Sequence, residues 1–257
     1  MTAAPPLRPS TRRRGRALCG PAVAGGAAVL ALLLSGGPCA AETWRQFVTA
    51  LGAPRTPAAV LDYLKHDKQV QGAPKPKFST IRTETTDGTI AQSFQLTGYD
   101  DGFGHIEGVR EERVEGNRRS GQQAISMVTA LAGLVLVSLD NKTTGASVYL
   151  RKIELSGELL PPRADRTLTM KYDRVQQAAD VVVEEIHECS LAWTAPKADP
   201  PLLESRCTGS TRITAPVGDG SSTKVETSPY DVTATFVFRR DLGWIFNQQT
   251  RVLETTP

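Results

Sequence analysis

Residues 78–97 read FSTIRTETTDGTIAQSFQLT, and the fold turns on them. Two runs rich in Thr, Ile and Phe flank Asp87-Gly88, the dipeptide that best supplies the two positive φ angles of a tight type I′ hairpin turn. Ile90, Phe94 and Leu96 then fall on one face of an extended chain, because side chains alternate with period two. Working outward, further strands are expected at 105–115, 146–155, 166–174, 181–193, 204–214, 232–239 and 244–253. Val232, Ala234, Phe236 and Phe238 repeat the alternation before a turn at Asp241 to Gly243. Counting 78–86 and 89–97, this makes nine strands joined mostly by short loops, which points to antiparallel pairing and not to βαβ crossovers. A sheet that large must curl, close or split. The expected fold is therefore mainly β (α+β): a large curved antiparallel sheet of about nine strands, barrel-like or half-barrel.

Two short helices are expected ahead of the sheet. Trp44, Phe47, Val48 and Leu51 recur at i, i+3, i+4 and i+7, one helical face. Thr56 is then placed as an N-cap with Pro57 at the first helical position, leading into Leu61 and Leu64. Asp67 to Lys77, with Gly72, Pro74 and Pro76, reads as a polar connector. The segment from Gln122 to Ser138 carries no charge and is the most apolar stretch after residue 41. It is read as a central apolar helix buried against the sheet, or as a helical turn followed by a buried strand from Leu134 to Leu139.

Residues 1–41 read as an export signal peptide. A basic start holding Arg8, Arg12, Arg13, Arg14 and Arg16 precedes an apolar run ending at Leu34, then Cys39-Ala40-Ala41 as a small-residue cleavage site. The run is short for a membrane span, so no transmembrane segment is expected after cleavage. Thr11 to Arg14 also resembles a twin-arginine export signal, which leaves the route open between general secretion and twin-arginine export. The expected location is periplasmic or secreted. All the formal charge of +3 comes from this leader, which holds five bases and no acid, so composition offers no case for a nucleic-acid partner. The expected division is thus 1–41 signal, 42–77 helical arm and linker, 78–257 antiparallel β domain.

Cys189 and Cys207 are the cysteines beyond the leader. They lie nine residues either side of position 198, inside a Pro-rich turn, so they become opposite partners in a hairpin and are expected to form a structural disulfide. His187 shares a strand face with Cys189, but the pair falls short of a zinc ligand set once the sulfur is cross-linked; Asp100, Asp101 and His105 read as a turn. No metal or cofactor is expected. The chain lacks a Gly-x-Ser-x-Gly elbow, a His-Glu-x-x-His helix and a phosphate-binding Gly loop. Glu111-Glu112 and Glu184-Glu185 are neighbours on strands and point to opposite faces.

The leading expectation is a non-catalytic exported envelope protein that binds an apolar molecule such as a lipid, with Ile125, Val128, Leu131 and Leu136 in the wall. One alternative is a structural or interaction module that docks on an envelope protein through Trp44, Phe47, Val48 and Leu51. A second is an enzyme whose site is assembled from distant strands.

Overall fold

The computed structural model describes residues 43–114 and 118–257. The export signal expected at 1–41 lies outside the described residues. Three helices come first: α1 (Trp44–Leu51), α2 (Ala58–His66) and α3 (Lys68–Gln71). Twelve strands follow: β1 (Thr80–Thr85), β2 (Ile90–Asp100), β3 (Phe103–Val114), β4 (Arg118–Ala130), β5 (Val135–Asn141) and β6 (Ser147–Gly157) in the first half. The second half holds β7 (Thr167–Gln177), β8 (Val182–Ala195), β9 (Leu202–Val217), β10 (Ser222–Arg239), β11 (Trp244–Asn247) and β12 (Thr250–Thr256).

All twelve form one antiparallel sheet in the order β11-β10-β9-β8-β7-β6-β5-β4-β3-β2-β1-β12. Each strand pairs with its sequence neighbour except at the ends of the chain. There β12 returns to pair with β1, from Thr80 opposite Thr256 to Thr85 opposite Thr250. Because β11 and β12 are separated only by Gln248 and Gln249, the two edges of the sheet are brought together and it nearly closes.

The strand count is twelve and not nine for two reasons. The 244–253 stretch divides into β11 and β12, and the charge-free 122–138 segment is not a helix, though the strand read as an alternative at Leu134 to Leu139 corresponds to β5. The segment supplies most of β4 and the start of β5, joined by a buried turn. In that turn Leu131, Ala132 and Gly133 have φ of 52°, 54° and 85°, a left-handed run that no α-helix accommodates. A Cβ on Gly133 would come within 2.2 Å of the Trp244 indole, so the turn requires glycine. From Met127 onward both faces of the segment are covered, while Gln122 and Ala124 remain exposed. Met127 packs against a cluster of Phe78, Ile81, Ile106, Leu242 and Trp244, while Val128 packs with Ala130 and Leu131 in the main core. A strand covered on both sides loses the polar-apolar alternation that would have marked it.

The main core joins the helices to the sheet. Val60, Leu64, Val70 and Ala73 are buried in one cluster with Leu131, Leu159, Leu168, Leu191, Trp193, Leu203 and Phe238. Two local readings change accordingly. Thr56 does not cap α2; its hydroxyl donates to the Val137 carbonyl at 2.8 Å, and Pro57 takes the N-cap position without a side-chain hydrogen bond. Within the expected connector, Asp67 accepts from the Gln69 and Val70 amides and starts α3. The first helix has a reciprocal cap, with Thr43 accepting from the Gln46 amide and Gln46 accepting from the Thr43 amide.

Cys189 and Cys207 are bonded and directly opposite across β8 and β9, with Cα atoms 4.0 Å apart. On a loop-closure basis such a bridge contributes about 3 kcal/mol. Among the described residues no helix is long and apolar enough to cross a membrane.

Candidate functional site

The four residues expected to wall a ligand site do not converge. Leu131 is fully buried at the head of the β4–β5 turn, and Val128 packs against the same core. Leu136 is half-buried on β5 opposite Thr129. Ile125 alone of the four lines a large groove. The helical face of Trp44, Phe47, Val48 and Leu51 also has a definite place: Trp44, Phe47 and Leu51 lie on Tyr149, Val175 and Val182 of the sheet. The Trp44 indole N–H donates to the Ala179 carbonyl at 3.3 Å. Val48 lines a smaller groove between α1 and the β7–β8 turn.

The groove that Ile125 lines crosses five adjacent strands, β12, β1, β2, β3 and β4, and encloses about 1160 Å³. Register explains its lining. Glu254, Arg82, Ser93, Val109 and Ala124 form one row across the sheet. Glu84, Ala91, Glu111 and Gln122 form the row on one side, and Thr256, Thr80, Gln95 and Glu107 the row on the other. Small or apolar side chains, Ala91, Ser93, Val109 and Ala124, occupy the middle, with Ile81, Phe94 and Ile125 also in the lining. Charged groups stand around them: Arg82, Glu107, Glu111, Lys142 and Glu254. The Lys142 ammonium sits 2.9 Å from the Glu107 carboxylate, both about half exposed, so this pair can open to a competing ligand at small cost. The sequence held the signal only weakly, because the small residues come from three different strands and become neighbours through register.

A second group spans β7 to β10. His187 on β8 is 2% exposed, its Nδ1 lies 3.0 Å from the Tyr172 hydroxyl, and its Nε2 is buried without a hydrogen-bond partner. Between His187 and Tyr230 the intervening residue of β9 is Gly209, and the two rings stack over it with centroids 3.8 Å apart. A Cβ on Gly209 would come within 2.0 Å of the Ile186 carbonyl oxygen and 3.0 Å of the imidazole. One step along the strands, Arg174 pairs with Glu185 at 2.5 Å. Burial pushes the His187 pKa below its ordinary value and raises that of Tyr172. That shift favours the neutral imidazole, which with Tyr172 borders a groove of about 400 Å³ across β6 to β9. His187 and Cys189 do share a face, but the disulfide consumes the sulfur, and among the described residues no group of three or more His, Cys, Asp or Glu could hold a metal ion.

Asp100 and His105 close the β2–β3 turn, 2.7 Å apart, with Asp101 at φ 47°. Comparison of the chain with protein-family models, with curated proteins and with solved structures finds no match.

Proposed function

We propose that this chain is an exported, non-catalytic binding protein of the bacterial envelope, and that it carries an amphipathic, lipid-like molecule in the groove across β12 and β1 to β4. The observation that carries the reading is the groove's lining: a floor of Ala91, Ser93, Val109 and Ala124 bordered by Arg82, Lys142 and three glutamates. Its volume of about 1160 Å³ accommodates a molecule of several hundred daltons. Apolar floor and charged border together suit a ligand with a hydrocarbon body and a polar head. A disulfide in the second half of the sheet fits an oxidising compartment, where such bonds persist.

The test is titration of the purified protein with a fluorescent fatty acid, alongside native mass spectrometry of material recovered from the periplasm of a bacterial host. Wild type is expected to bind saturably. Ala124→Trp, which fills the floor from an exposed position, is expected to weaken binding by about tenfold or more with the melting temperature kept. Absence of saturable uptake by the wild type, or uptake unchanged in Ala124→Trp, overturns the proposal.

A further inference from the structure

The β9–β10 hairpin is the longest in the sheet, and β11 covers β10 only from Phe236 to Arg239. Among the described residues no strand pairs with the other edge of β10 from Ser222 to Thr235. The disulfide fixes which backbone groups line that open edge. With Cα atoms 4.0 Å apart, Cys189 and Cys207 are a non-hydrogen-bonded pair, so Cys207 turns its own N–H and C=O toward β10. Its partner there is Val232, and β10 pairs with β9 without a register shift. Even-numbered residues of β10 therefore bond to β9, and odd-numbered ones aim outward. Two observations agree: the Gln248 amide donates to the Thr235 carbonyl at 2.9 Å, and Pro229, which has no N–H, is odd-numbered.

We propose that two copies of this chain join edge to edge through β10, antiparallel, about a two-fold axis at Val225. In this register Val225 faces Val225 of the second copy, Thr223 faces Thr227, and Lys224 faces Glu226. The outward N–H and C=O groups of Thr223, Val225 and Thr227 all find partners. Each Lys224 ammonium, already paired with Glu226 of its own strand, gains a second carboxylate across the axis. The residues from Lys224 to Pro229 are exposed, and Val225 is 46% exposed.

Charge and proline discriminate against the neighbouring registers. An axis at Lys224 or at Glu226 sets like charges directly opposite each other, which is destabilising. An axis at Thr227 places Pro229 opposite Val225 and forfeits a bond, one at Ser228 brings Pro229 against Thr227, and one at Asp231 opposes two aspartates. An axis at Thr223 runs off the end of the strand after Ser222. Only Val225 combines a proline-free stretch with opposite charges.

Sedimentation equilibrium of the purified chain tests this with three variants. Wild type is expected to dimerise reversibly. Lys224→Glu, which gathers four carboxylates at the axis, and Val225→Pro, which removes an outward N–H but no bond to β9, are each expected to weaken dimerisation by about tenfold or more. The double variant Lys224→Glu/Glu226→Lys is expected to restore it, since residues 224 and 226 again oppose with unlike charge. Circular dichroism confirms that each variant is folded. A wild type that stays monomeric at millimolar concentration overturns the proposal. So does a dimer indifferent to Lys224→Glu and Val225→Pro.

Discussion

Leu131 holds a left-handed backbone in the middle of the core, with no exposed surface. Leu131→Asp removes a packed side chain and leaves a carboxylate without water or partner. The loss is expected to be roughly 4 kcal/mol or more, a large part of a domain's whole stability. Thermal unfolding followed by circular dichroism checks it; a near-normal melting temperature would mean that the turn opens to solvent. His187 gives a pH prediction with a definite sign. Its folded pKa lies below the ordinary 6.5, so the unfolded chain takes up the proton more readily as pH falls. The contribution of the neutral imidazole to stability is full above 6.5, declines as pH drops below it, and is constant again beneath the depressed folded value. His187→Gln is expected to flatten the slope of melting temperature against pH in that window. An unchanged slope would assign the acid sensitivity to other groups.

At the scale of the element, β12 is the strand whose removal is most informative. It contributes Val252 to the cluster around Trp244 and covers the β1 edge along its whole length. A chain ending at Gln249 is expected to lose at least ~2 kcal/mol, about 5 °C or more in melting temperature, and to scatter light at concentrations where the full chain is clear. A clear, equally stable truncated chain would make β12 dispensable. How well an element could be read from sequence depended on how many of its faces are wet. The β1–β2 hairpin keeps one exposed face, so its alternation is plain in residues 78–97. The turn lies where Asp87-Gly88 put it but is not the type I′ turn expected, since only Gly88 has a positive φ there, 72°, and four residues join the strands. The first helix has only one apolar side and was equally plain. Where β4 runs into β5, from Met127 to Val137, both sides are covered, and the composition there does not separate two strands from one helix, although a buried strand near Leu134 is among the readings it allows. Thr56 shows the same limit: a threonine before a proline is a good cap, until a carbonyl from Val137 competes for its hydroxyl.

For the whole molecule, antiparallel order along the chain followed from short loops, and the disulfide register followed from the equal arms of a hairpin. The pairing of β1 with β12 had no local signal, because its partners are separated by almost the entire sheet. The groove was hidden for the same reason, since its rows exist only once five strands are in register. That last pairing also sets a timetable. The Ser79 amide bonds to the Thr256 carbonyl at the end of β12, so the first of the described strands waits for the last. During synthesis the β1 edge stays open until β12 arrives, and closing so long a loop is slow. In that interval the Thr80–Thr85 edge is exposed to wrong partners, and a holding chaperone acting at this end of the sheet would need to shield six residues.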